Sequence, residues 1–167
     1  FTSFYDMLCE AEILGTEDPY SSFYNRYYQL VNSGVEEPLT THADRFRYNF
    51  AYGIASYSKG AVFLAQLGYI IGAENLMKTI KRYYEVFQFS HPTPNDFKRI
   101  AEKVSGMQLE WYLNDWVRTT NTIDYGIQQV EEKGKKTKIT LERIGNMAMP
   151  VEVYVEAIDG SSDYYYI

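Results

Sequence analysis

Residues 52–72 read Tyr-Gly-Ile-Ala-Ser-Tyr-Ser-Lys-Gly-Ala-Val-Phe-Leu-Ala-Gln-Leu-Gly-Tyr-Ile-Ile-Gly, from Tyr52 to Gly72. Between Gly60 and Ile71 nearly every side chain is apolar, and Gln66 is the strongly polar exception. A helix that is apolar on all sides is buried on all sides. A membrane span needs about 20 such residues, so this run predicts the central helix of a globular core instead. Tyr57-Ser58-Lys59-Gly60 supplies the predicted start of that helix. A tyrosine fixed at the mouth of a buried helix presents its hydroxyl as a hydrogen-bond donor in a defined place.

On both sides of this run the chain keeps helical periodicity. Phe4, Met7, Leu8, Ala11 and Leu14 fall on one helix face, closed by Gly15. Thr16-Glu17-Asp18-Pro19 predicts a second helix start, with Phe23, Tyr27, Leu30 and Val31 as its apolar stripe and Gly34 as its end. From Val35 to Ala51 no period survives, which predicts a long loop leading into Tyr52. Ala73-Glu74-Asn75 starts the next helix, with Leu76, Ile80, Tyr83, Tyr84 and Phe87 on its stripe. Thr93-Pro94-Asn95-Asp96 combines a cap, a proline suited to the first turn and an acidic residue at the positive end of a helix dipole. Phe97, Ile100, Ala101 and Val104 follow, and Ser105-Gly106 stops that helix. Leu109, Tyr112, Leu113 and Trp116 mark the last helix, ended by Thr119-Thr120-Asn121.

Past residue 121 the period changes from about 3.6 to about 2. Ile123, Tyr125 and Ile127, then Ile139 and Leu141, then Val151, Val153 and Val155, alternate with polar or small residues, and Tyr164 to Ile167 read as a fourth strand. Gly134 with its neighbouring lysines, Gly145-Asn146 and Asp159-Gly160 are the turn signals between them. The fold class is therefore α+β: a mainly helical part over residues 1–121 followed by an antiparallel β unit over residues 122–167, with one face of the sheet wet.

A net charge of −6 without a basic stripe argues against nucleic-acid binding. One cysteine, Cys9, permits no internal disulfide and leaves the compartment open between cytoplasm and periplasm or extracellular space. No membrane-spanning run is present in the sequence. The chain does not begin with Met, and both ends fall inside a pattern, so it is expected to be cut from something longer.

Tyr57-Ser58-Lys59-Gly60 opening an apolar helix that ends at Gly72, with Tyr52 five residues before Tyr57, resembles the aminopeptidase N and leukotriene hydrolase type of zinc peptidases, the gluzincins of peptidase family M1. Phe1-Thr2-Ser3-Phe4-Tyr5 is similar to that family's segment just after its third zinc ligand. Asp96-Phe97, the Ser105-Gly106 break, Leu109 and Trp116 resemble its segment after the tyrosine. The resemblance covers roughly residues 1–120. It implies that the helical part is the C-terminal helical half of a thermolysin-like catalytic domain. It also implies a fragment of a zinc-dependent aminopeptidase, hydrolysing N-terminal residues of peptides, that begins just past the glutamate ligand.

The same resemblance implies that Tyr57 donates to the oxyanion of the tetrahedral intermediate, and Tyr52 is expected to line the same pocket. The family's H-E-x-x-H does not occur in this sequence, and neither His42 nor His91 is followed by Glu. A catalytic zinc site needs three protein ligands and an open position, so no metal ligand is assigned to this chain. Zinc is expected in the full-length parent only, and the isolated chain is expected to be inert. His42 and Asp44 are read as surface residues, Lys59 as a local cap or pair near the helix start, and Glu10, Glu12, Glu36 and Glu37 as solvated. A non-enzymatic helical module that binds a peptide or protein through its tyrosines is the alternative. A homodimer through an apolar face near Tyr57 is a further expectation.

Overall fold

The computed structural model describes residues 1–134 and 136–167. Lys135, part of the sequence-predicted turn at Gly134, lies outside the described residues. The fold is α+β. Helices α1 (Thr2–Leu14) and α2 (Ser21–Ser33) are followed by a 3-10 turn (Ala43–Arg45) and by α3 (Asn49–Gly53). A π-helical segment (Ile54–Lys59) runs straight into α4 (Gly60–Ile71); α5 (Ala73–Phe87), α6 (Pro94–Ser105) and α7 (Glu110–Arg118) complete the helical part. Strands β1 (Tyr125–Lys133), β2 (Lys136–Arg143), β3 (Glu152–Glu156) and β4 (Ser162–Tyr166) follow. The chain divides into two compact units, residues 1–120 and residues 121–167.

In the first unit α4 is the central element. Ala61, Val62, Leu64, Leu67 and Ile71 are buried, and of the helix only Tyr69 is exposed. Phe63 stacks on Tyr112 of α7 at 5.3 Å and meets Phe97 of α6 at 6.2 Å. The Tyr112 hydroxyl donates to the Phe63 carbonyl at 2.6 Å, so a fully buried phenol finds an acceptor on the helix it packs against. Phe4 and Met7 bring the buried face of α1 into the core, as their spacing predicts. The end of that stripe does not follow: Leu14 is exposed, because Gly15 turns the chain away there in a left-handed conformation. Gly72, at φ 84, ends α4 and lets α5 begin at the next residue.

Two expectations about this unit are corrected. The helix does not start at Tyr57. It starts at Asn49, inside the stretch read as loop, and Tyr57 lies within a continuous helical rod. The cause is that Ala51 and Ala55 are small enough to bury completely against Leu30, with Val35, Leu39, Phe46 and Ile54 packed around them. That contact set is tertiary and leaves no helical stripe to read in sequence.

The second unit holds antiparallel strands as expected, but in two separate ribbons, β1 with β2 and β3 with β4, rather than one sheet. The link between β2 and β3 explains this. Its amides from Ile144, Gly145 and Met147 donate to the carbonyls of Asp124, Asp124 and Thr122. Met149 exchanges bonds with the Tyr125 hydroxyl. Those donors are spent on the approach to β1 instead of on a neighbouring strand. A Cβ at Gly145 would lie 2.1 Å from the Thr122 carbonyl oxygen, so the crossing admits glycine alone without rearrangement.

Candidate active site

The π-helical segment Ile54–Lys59 is the local feature on which the site is built. The amide of Gly60 donates to the carbonyl of Ala55, five residues back, the mark of a turn carrying one extra residue, and also to that of Tyr57. Such widened turns are rare and collect at functional sites, where they redirect a side chain. Here they separate neighbours sharply: Ser58 and Lys59 are buried, at 1% and 0% exposure, while Tyr57 is 62% exposed. Among the described residues the Tyr57 hydroxyl has no hydrogen-bond partner, so its donor is directed to whatever lies outside the core.

Tyr52 sits on α3 at 36% exposure, and its ring meets Phe46 edge-on at 5.4 Å. Its ring partner is therefore Phe46 and not Tyr57. Tyr48 and Phe50, both about half exposed, are in ring contact at 5.9 Å and extend this aromatic surface. An apolar groove of about 1150 Å³ lies elsewhere, between α1 and α5, lined by Phe1, Tyr5, Met77, Tyr83, Tyr84 and Phe87 among others. It includes neither Tyr52 nor Tyr57, and its charged pair, Lys78 with Glu74, is an exposed helix-surface bridge. The groove and the widened turn are therefore separate places on the helical unit.

Lys59 corrects the expectation of a local cap or pair. Its Nζ lies 2.7 Å from Glu36 Oε1 and 3.4 Å from the Thr119 carbonyl oxygen. The faces of Tyr27 and Trp116 stand 5.8 and 5.9 Å from the same ammonium. Glu36 is correspondingly not solvated: its side chain is 6% exposed. The physical reason is that Lys59 points into the core, where an ammonium must find a counter-charge, and the segment after α2 brings one. The phenol of Tyr27 is held neutral, pushed up first by burial and then by the negative charge of Glu36. Sequence reading missed Glu36 because its partner lies 23 residues away. The signal that could have found it is a lysine on the threshold of an all-apolar helix.

The remaining polar candidates stay apart. Glu10 and Glu12 are exposed on α1. Glu37 is partly buried and accepts from the Arg47 amide at 3.0 Å, so it caps a loop. His42 is 69% exposed with Asp44 at 3.5 Å, and His91 is exposed before α6. Among the described residues no group of three His, Cys, Asp or Glu side chains could hold a metal ion, so the residues present do not fit a zinc site. Nor, among those residues, is any helix long and apolar enough to cross a membrane.

A family model described as the peptidase family M1 domain matches residues 1–116. The chain is 31% identical over 88 residues to the probable aminopeptidase 2 of Sulfurisphaera tokodaii, a match covering 53% of this chain and 11% of that protein. It is 27% identical over 95 residues to the leucyl aminopeptidase of Saccharolobus solfataricus, covering 55% and 12% respectively. To the glutamyl aminopeptidase of Sus scrofa it is 28% identical over 101 residues, covering 59% and 10%. The chain thus spans between 10% and 12% of the length of these relatives. No solved structure matches it at a significant level.

Proposed function

The chain belongs to the peptidase M1 family, and from that premise we propose that it supplies the oxyanion donor of a zinc aminopeptidase. In this reading the full-length protein removes N-terminal residues from peptides. Tyr57 points its O–H at the carbonyl oxygen of the scissile bond and donates as that oxygen takes on negative charge. It keeps its proton throughout, acting as a donor and not as an acid. A donor fixed in advance on a rigid turn needs no reorganisation when the charge develops, which is the source of its effect. Tyr52, on the preceding helix, lines the same pocket beside Phe46.

Zinc, the family's implied cofactor, is held outside these residues in this reading, since the described residues offer no fitting ligand set. For the same reason the isolated chain turns over no aminoacyl substrate. The observation that carries the proposal is a 62% exposed tyrosine, without a hydrogen-bond partner among the described residues, on a widened turn whose next two residues are buried.

The test is Tyr57→Phe in the full-length protein. Turnover of an aminoacyl substrate should fall by about two to three orders of magnitude, the usual loss for one oxyanion donor. Near-wild-type turnover overturns the assignment.

A further inference from the structure

Lys59 is an expensive way to fill a core. An apolar residue of similar volume packs at least as well as a buried ion pair in many proteins, yet the lysine here is fully buried and lies against the Glu36 carboxylate. Its ammonium is gripped from three sides of the fold. Glu36 comes from the segment after α2, the Thr119 carbonyl from the residue after α7, and the ring faces of Tyr27 and Trp116 from α2 and α7 themselves. A side chain held at its tip by several elements fixes the backbone at its root.

That root is the last residue of the π-helical segment, two positions beyond Tyr57. A widened turn is less stable than the α-helix on either side and persists where tertiary contacts hold it. Should the extra residue slip out, everything before it would rotate relative to α4 by about 100°, one residue's share of an α-helical turn. The Tyr57 hydroxyl would then face elsewhere.

We infer that Lys59, through Glu36, is a positioning residue for the reaction: the buried pair holds the widened turn open and thereby aims the Tyr57 hydroxyl. The inference rests on the reading of Tyr57 as the oxyanion donor. It separates two jobs that a buried pair could have, keeping the protein folded and keeping one hydroxyl pointed.

The test uses the full-length protein and a double-mutant cycle. Glu36→Leu combined with Lys59→Met replaces the pair by apolar side chains of similar size, a change that commonly preserves folding. This variant should stay folded while kcat and kcat/KM drop together by roughly tenfold, within the range that a small misplacement of a catalytic group produces. KM should stay put, as for an interaction made in the transition state alone. In the Tyr57→Phe background the same replacement should change kcat no further, because the group it aims is gone.

Glu36→Gln, which keeps volume and leaves Lys59 a neutral acceptor, is taken through the same cycle and decides the matter if the apolar pair does not fold. Its loss in kcat should likewise vanish in the Tyr57→Phe background. A folded variant with wild-type kcat, or a loss of equal size with and without the Tyr57 hydroxyl, overturns the positioning role while leaving the oxyanion donor in place. Tyr57→Phe alone at wild-type turnover overturns the donor reading and this inference with it.

Discussion

Lys59 and Lys78 show how differently the same residue type behaves in one chain. Lys78 pairs with Glu74 one helical turn away, with both side chains mostly in water. Bridges of that kind contribute little, since solvent screens the charges and two mobile side chains must be ordered. Lys59 has no exposure at all, and Glu36 almost none. Glu36→Ala would strand that ammonium with the Thr119 carbonyl and two ring faces, and removing one partner of a buried pair typically costs about 3–5 kcal/mol. Urea unfolding followed by circular dichroism should show a loss of that order for Glu36→Ala and almost none for Glu74→Ala. Equal small losses would mean that the Lys59 charge reaches water. At this scale the sequence speaks unevenly. Tyr57 stands out because the residues that make it notable are its immediate neighbours. Glu36 stays hidden because burial of a charge is a property of the packed core.

Elements whose signals are local were readable, and α6 is the clearest. Thr93, Pro94 and Asp96 make its first turn, and the Asp96 carboxylate accepts from the Thr93 amide at 2.8 Å and from the Thr93 hydroxyl at 2.7 Å. Those two bonds, with a smaller help from Arg99, hold the Asp96 carboxyl below its ordinary value of 3.8. A carboxyl depressed in the folded state stabilises fully above its unfolded value and loses that contribution as pH falls through the lower folded one. Asp96→Asn should therefore lower the urea midpoint at neutral pH and flatten its decline on acidification below about pH 3.8. A mutant whose midpoint tracks wild type in parallel down to the lowest pH would contradict the carboxylate's part in the cap. The widened turn gave no such warning. Its composition fits an α-helix equally well, and the partners of Lys59 at its end come from the segment after α2, from α2 and from α7 and the residue after it. The strands were legible by their alternation. Their division into two ribbons was not, because it depends on where the amides of the link after β2 go.

Across the whole molecule, four of the exposed large rings lie along residues 48–57. Tyr48, Phe50, Tyr52 and Tyr57 are 49%, 51%, 36% and 62% exposed. Exposed apolar surface drives association, so the 167-residue chain is expected to self-associate through these rings. Sedimentation equilibrium should give a mass rising toward twice that of the monomer with concentration, and a monomer throughout would rule the interface out. In the full-length protein the same rings are expected to meet substrate. That expectation is tested most directly by the structure of the full-length protein bound to a tetrahedral, non-hydrolysable analogue of a peptide. The account places the Tyr57 hydroxyl oxygen within about 2.5–3.0 Å of the analogue oxygen that mimics the oxyanion. A Tyr57 hydroxyl turned to solvent or to protein, with another donor on that oxygen, would contradict it.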